Sequence, residues 1–161
     1  MKRTSVAHLN CSVAKALDVV GEWWTLLIVR DLMMGQHRFE AIQSDLGIAR
    51  NILSDRLSTL VERGVVERVK YQDHPERFEY RLTDAGRDLF PVIQALMAWG
   101  DKWAAPDGPP LVMTHECGHA TEPGAVCSHC GSTLRLGSVR MRKGPGWRSS
   151  HDQAPDPESV A

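Results

Sequence analysis

The segment from Arg38 to Leu82 constrains this chain most, because its apolar periodicity changes from helical to alternating at places marked by glycine. A first helical stretch, roughly Arg38 to Asp45, ends at Leu46-Gly47, where glycine accepts the left-handed backbone that a helix end requires. A second runs from about Ala49 to Arg63 and stops at Gly64. Its Leu53, Leu57, Leu60 and Val61 fall at i, i+4, i+7 and i+8 and make one apolar face. Val65 to Tyr71 is then rich in β-branched residues, and Phe78, Tyr80 and Leu82 alternate with Glu79 and Arg81, so two strands are expected. Gln72 to Arg77 between them is a turn in which Pro75 fixes its own φ. Helix, turn, helix and hairpin in that order form the winged version of the helix-turn-helix. In that module the second helix enters a DNA major groove and the hairpin approaches the neighbouring backbone.

The polar residues sort accordingly. Arg50, Asn51, Ser54, Asp55 and Ser58 point away from the leucine face, with Arg56 and Thr59 on its flanks. Arg and Asn form paired hydrogen bonds with base edges, and Ser reaches bases or phosphates at short range. Arg38, Lys70, His74 and Arg77, at the start of the first helix and near the hairpin tip, are placed to meet phosphates. A solvated helix face and a solvated hairpin are the plain alternatives. A hairpin directly after the helix pair favours double-stranded DNA as the partner. The net charge of −1 is unusual for a DNA binder, and residues 1–105 hold equal numbers of basic and acidic side chains. A basic surface must therefore come from placement, with residues 38, 50, 56, 70 and 77 on one face.

These residues, with others upstream and downstream, resemble the HxlR-type regulators. The similar stretches are Cys11 to Leu32, with Gly21 and Trp24 inside it; Arg38-Phe39; Leu53-Ser-Asp-Arg56-Leu57; Pro75-Glu-Arg77-Phe-Glu79-Tyr80; Leu82-Thr-Asp-Ala-Gly86; and Trp99-Gly100. The resemblance spans about residues 8 to 105 in order. It implies a bacterial or archaeal homodimeric transcription factor with a winged helix-turn-helix core. Glu22-Trp23 departs from the family pattern, which more often has a small residue and a lysine there. Cys11 lies at or just before the first helix, where the macrodipole favours a thiolate. The resemblance implies a sensor of oxidants or electrophiles at this position. A small half-buried cap is the other reading.

The remaining helices have structural work. Ser12 to Val20 is a short helix capped by Ser12 or Cys11 and ended at Gly21. Trp23 to Met34 is apolar nearly all round and is expected to be buried on both sides, by its own domain and a partner subunit. Thr83 can cap a long helix carrying Leu89, Phe90, Val92, Ile93, Leu96, Met97, Trp99 and Trp103, in which Pro91 is expected to cost a hydrogen bond and introduce a bend. So much apolar surface on one late helix exceeds what a small winged domain buries alone. A homodimer face is expected from Leu89, Ile93, Leu96, Trp99 and Trp103 with Leu26 and Val29.

Residues 105–110, Ala-Pro-Asp-Gly-Pro-Pro, read as a linker between a domain at 8–105 and a second unit at 111–142. That unit contains His115-Glu-Cys117-Gly-His119 and Cys127-Ser-His129-Cys130-Gly131. A Cys-x-x-Cys-Gly turn aims two thiolates at one point, and Cys117 with His115, or His119 instead, could complete four ligands around a structural zinc. With strands expected at Leu111 to Met113 and Leu134 to Met141, the unit resembles a small zinc ribbon. A redox-active or free dithiol and a metal-free fold are the alternatives. The tail at 143–161 is polar, rich in helix and strand breakers, and expected to be disordered.

The expected fold class is therefore α+β, mainly helical with a small hairpin, plus a zinc-ribbon-like β unit. At 161 residues with 42% hydrophobic content the chain can build one core domain and an appendage. It has no apolar run of about 18 residues and no signal-peptide pattern, so a cytoplasmic protein without a membrane partner is expected. An enzyme is not expected. The candidate zinc ligands have no evident substrate cavity, and Cys11 with His8 lacks an orienting acid and oxyanion donors. The expected function is sequence-specific regulation of transcription at a pseudo-palindromic operator, as a repressor or autoregulator answering to oxidants, electrophiles or a small ligand. A general transcription factor that contacts polymerase through winged helix and ribbon is the alternative.

Overall fold

A computed structural model describes residues 5–147. Its elements run in the order α1 (Ser12–Val20), α2 (Thr25–Met33), α3 (Phe39–Leu46), α4 (Arg50–Glu62), β1 (Val66–Gln72), β2 (Arg77–Leu82), α5 (Asp84–Arg87) and α6 (Phe90–Trp103). The chain is thus α+β with one two-stranded antiparallel sheet among the described residues. These residues group into two compact units. One runs to Arg87 and also takes Lys143 to Trp147; the other is Asp88–Arg142. The composition break at 105–110 lies inside the second of these, so α6 is grouped with the segment that follows it. Of the tail expected to be disordered, residues 148–161 lie outside the described residues.

In the first unit the glycines after α3 and α4 behave as their positions require. Gly47 and Gly64 take φ of 61° and 70°, ending each helix and redirecting the chain. Leu53, Leu57 and Leu60 are fully or almost fully buried, together with Ile28, Val29, Leu32, Ile42 and Val66. Val61 stays partly exposed. At about 100° per residue it lies about 80° round the helix from Leu53, at the edge of the stripe rather than within it. Helix α2 packs on α3 and β2, and α4 packs on β1.

Helix α2 begins two residues later than expected, at Thr25, because Trp24 has φ 76° and a right-handed helix cannot pass through that conformation. It is buried on one side, not two: Thr25, Ile28, Val29 and Leu32 face the core while Leu27 is exposed. Val29, expected at a subunit interface, is already part of its own core. Asp31 is also fully buried. Arg30 donates to its Oδ1 from Nε (3.0 Å) and Nη2 (2.6 Å), and the same Nη2 reaches Asp45 of α3 at 3.1 Å. Burial pushes the Asp31 carboxyl above its ordinary value, with Arg30 opposing the shift.

The hairpin register pairs Val66 with Leu82, Arg68 with Tyr80 and Lys70 with Phe78, with an irregularity before Gln72 meets Arg77. Tyr80 N donates to His37 O at 2.8 Å, fastening β2 to the entrance of α3. Thr83 caps a helix as expected, but a short one. Its Oγ1 accepts from Gly86 N at 3.3 Å and donates to Gly64 O at 2.6 Å. Gly86 is buried so closely that a Cβ there would run into the Val65 carbonyl oxygen.

The single long helix expected after Thr83 is instead two, α5 and α6. Pro91 sits in the first turn of α6, where an N–H has no helical partner to lose, so the expected bend does not arise. In the second unit α6 buries Ile93 and exposes Val92, Leu96, Trp99 and Trp103. Residues 111–142 form no strand. Two isolated bridges, Thr114 with Ala120 and Val126 with Thr133, each close a turn. Leu111 to Met113 and Leu134 to Met141 therefore do not make the ribbon strands expected of them; each bridge joins residues on either side of its own turn.

Candidate nucleic-acid interface

The start of α4 and the hairpin bring most of the expected DNA-contacting residues to the first unit's surface. Arg50, Asn51, Ser54 and Ser58 are all exposed on α4. At about 100° per residue Asn51 and Ser58 lie opposite the buried leucines, Ser54 flanks them, and Arg50 leaves the leucine side at the helix N-terminus, where it stacks on Phe39. A 13-residue helix that packs one face and offers a short-side-chain polar face with Arg and Asn at its N-terminal end can enter a groove about 12 Å wide.

Beside it lies a groove of about 780 Å³, lined by Arg38, Arg50, Arg68 and Arg77 against only Glu40 and Glu76 among the acidic residues. Three of these arginines lie against aromatic rings. The Arg38 guanidinium is 5.1 Å from the Tyr71 ring centre, Arg50 is 4.8 Å from Phe39, and Arg68 is 3.5 Å from Phe78. Each stack crosses an element boundary: α3 entrance to β1, α4 to α3, and β1 to β2. Stacking holds a guanidinium plane in place and leaves its edge donors free, so less side-chain entropy is lost when a phosphate is met. The protein's near-neutral charge is thereby reconciled with a locally cationic surface.

The other expected residues are distributed differently. Arg56 is half-buried. Its Nη2 lies 3.6 Å from Glu22, while its Nε is buried without a hydrogen-bond partner, so it ties α4 to the α1–α2 loop. Glu22, the position that departs from the family pattern, thus has a partner in Arg56. Lys70 Nζ is held by Asp73 (3.2 Å) and Glu76 (2.7 Å) within the hairpin turn. His74 and Arg77 are exposed at that turn. Arg68 is the functional candidate absent from the sequence reading. Its signal was present, since Val66, Arg68 and Lys70 alternate on one strand, but nothing local distinguished it from the solvent-facing Glu67.

Cys11 is exposed at the N-cap of α1 with extended backbone, and its side chain makes no capping hydrogen bond. In the second unit Cys127 and Cys130 share one turn. Hydrogen bonds from Ser132, then Cys127, draw the Cys130 thiol below its ordinary pKa. His115, Cys117 and His119 share the other turn. Among the described residues no three His, Cys, Asp or Glu side chains converge on a point that would hold a metal ion. No helix among them is long and apolar enough to cross a membrane.

Comparison with known proteins agrees with this geometry. Residues 19–108 match the HxlR-like helix-turn-helix family. The uncharacterized HTH-type transcriptional regulator Rv3095 of Mycobacterium tuberculosis is 48% identical over 140 residues, covering 86% of this chain and 89% of its own length. The crystal structure of PA1607, described as a candidate transcription factor, superposes with a TM-score of 0.79 at 39% identity, covering 88% of this chain and 100% of PA1607. That likeness extends well past the family-matched residues. The redox regulator HypR in its oxidized form gives a TM-score of 0.54 at 31% identity, over 57% of this chain and 96% of HypR. The protein is a transcriptional regulator and not an enzyme. With its buried leucine stripe, exposed α4 face and winged hairpin, the chain belongs to the HxlR-like helix-turn-helix family.

Proposed function

We propose that the chain works as a homodimer that reads a pseudo-palindromic operator with α4 and grips the flanking phosphates with the arginines around the hairpin. The observation that carries this reading is the opposition on α4. Leu53, Leu57 and Leu60 are buried while Arg50, Asn51, Ser54 and Ser58 are free at the surface beside the arginine-lined groove. Arg50 and Asn51 supply base readout, and Arg38, Arg68 and Arg77 supply position and affinity.

Dimerisation is supported by α6 considered by itself. Val92, Leu96, Trp99 and Trp103 recur at helical spacing on one stripe and are 45%, 49%, 62% and 66% exposed. Such a stripe of large side chains fits a second copy of the same helix, as a twofold axis brings identical surfaces together. A pseudo-palindromic operator would place two α4 helices in successive major grooves about 34 Å apart.

Control through Cys11 is supported by its exposure at a helix N-terminus and by the likeness to a redox regulator. Peroxide would convert the thiol to a sulfenic acid with release of water; a second thiol would condense with it to a disulfide, releasing water, and a further thiol would exchange with that disulfide to restore Cys11. The reading places the protein in the cytoplasm as a repressor of its own or a neighbouring gene.

DNA selected from a random pool by the full chain tests this. Footprinting of the selected sequence should show two protected half-sites one helical turn apart, and sedimentation at micromolar concentration should show a dimer. Peroxide should weaken binding by the parent and not by Cys11→Ser. A monomer with no discrete footprint would overturn the proposal.

A further inference from the structure

Two turns in residues 111–142 follow one plan. In the first, His115 N donates to His119 O (2.9 Å) and Gly118 N to His115 O (2.8 Å), and the Thr114–Ala120 bridge encloses them. In the second, Cys127 N donates to Ser132 O (2.8 Å) and Gly131 N to Cys127 O (2.8 Å), inside the Val126–Thr133 bridge. Gly118 and Gly131 have φ of 84° and 73°, so a left-handed glycine closes each turn. A potential ligand directly follows the first bridging residue in both, His115 in one and Cys127 in the other. A cysteine directly precedes the glycine in both, Cys117 and Cys130. The first turn is one residue shorter, which accounts for its tighter His-x-Cys spacing.

The same segment lacks what usually holds a fold. No side chain in residues 111–142 is buried, and each turn is closed by a single bridge. A segment this short without a core needs a cross-link. A disulfide between Cys127 and Cys130 would join residues already in one turn and leave the other loose; the cysteines are free thiols. A ligand shared by both turns would connect them directly.

We propose that His115, Cys117, Cys127 and Cys130 bind one zinc ion that joins the two turns. Three thiols and one imidazole form a donor set typical of closed structural zinc sites. His115 Nδ1 accepts from Cys117 N at 3.3 Å, which keeps the imidazole beside the cysteine of its own turn; this hydrogen bond gives way when the ring lone pair takes the ion. His119 holds the position that Ser132 holds in the second turn, and its Nδ1 lies 3.2 Å from Cys117 O, where it braces the turn from outside the ligand set. Among the described residues the four side chains do not converge on one point, so the two turns must close together as the ion binds. Three thiol protons pass to solvent as the ion binds, and no electrons move.

Full-length protein prepared under reducing conditions, stripped with chelator and titrated with zinc or cobalt(II), tests the assignment independently of DNA binding. About one ion per chain is expected, with the tetrahedral d–d and thiolate charge-transfer bands of cobalt(II). Protease resistance should return to residues 111–142 while the unfolding of the first unit is unchanged. His115→Ala and Cys117→Ser should each abolish the tetrahedral spectrum, and His119→Ala should keep it. Binding well below stoichiometry would overturn the site. An unaltered spectrum in Cys117→Ser would show that the turns share no ion, and loss in His119→Ala with retention in His115→Ala would overturn the ligand assignment.

Discussion

Residues 39–82 and residues 111–142 both turn the chain with left-handed glycines, yet they are stabilised by different means. Around Gly47 and Gly64 the turns deliver helices onto a core of Ile42, Leu53, Leu57, Leu60 and Val66. Around Gly118 and Gly131 the turns deliver polar loops with no buried side chain between them. The first region spends its sequence on apolar periodicity and has polar positions left over for DNA. The second spends it on thiols and imidazoles. Equivalent turn chemistry therefore serves a packed module in one case and a ligand cluster in the other, and what flanks the turn decides which.

The largest expected effect tests whether packing holds the first region alone. Leu57→Ala should destabilise the protein by about 2–5 kcal/mol, because the removed methyl groups leave a cavity in a closed site. Leu136→Ala, at a fully exposed position of the second region, should change stability by no more than about 0.5 kcal/mol. Denaturant unfolding monitored by circular dichroism measures both. Equal effects would remove the distinction.

A smaller effect separates the two uses of charge in the first region. Arg77→Ala should lower the slope of log affinity against log salt by about one, since one phosphate contact is lost. Arg56→Ala should leave that slope nearly unchanged, because Arg56 is occupied by Glu22. DNA titrations at several salt concentrations distinguish them; identical slopes would place Arg56 on the DNA.

The smallest effect concerns Asp31, a carboxyl buried on α2 where that helix packs against α3 and β2 of the first region. Burial raises the Asp31 pKa above its ordinary 3.8. The folded state therefore holds the proton more tightly than the unfolded state. Stability from this group is present below that value and is lost as pH rises through the raised folded-state pKa. Asp31→Asn cannot ionise, so its melting temperature relative to the parent should improve between acid and neutral pH. A difference constant with pH would contradict the assignment.

Much of the first region was legible because its signals are local. Glycine stops, the leucine spacing and the strand alternation need only neighbouring residues, and they located α3, α4 and the hairpin to within a residue or two. Features that depend on distant partners were not legible. The Arg56–Glu22 pair and the three arginine–aromatic stacks join elements that only the fold brings together. The division of the long helix at Asp88-Leu89 had a local signal, Pro91 just downstream with Thr83 as a cap upstream, but apolar residues on both sides suggested continuity. In the second region Leu134 to Met141 was expected to be a strand, but the pairing beside the Val126–Thr133 bridge reaches only Leu134, whose N–H donates to Ala125 O, and the backbone then turns at Arg135 to Ser138. Cysteine and histidine spacing was the informative signal there, and the paired turns became visible only from backbone hydrogen bonds.

The central claim is that the exposed face of α4 reads base sequence while the hairpin arginines hold the backbone. Affinities of Asn51→Ala for selected operator DNA and for random duplex of equal length, at one salt concentration, test it most directly. The account predicts a loss of about 1–3 kcal/mol on the operator and little on random DNA. An equal loss on both, or none on either, would contradict it.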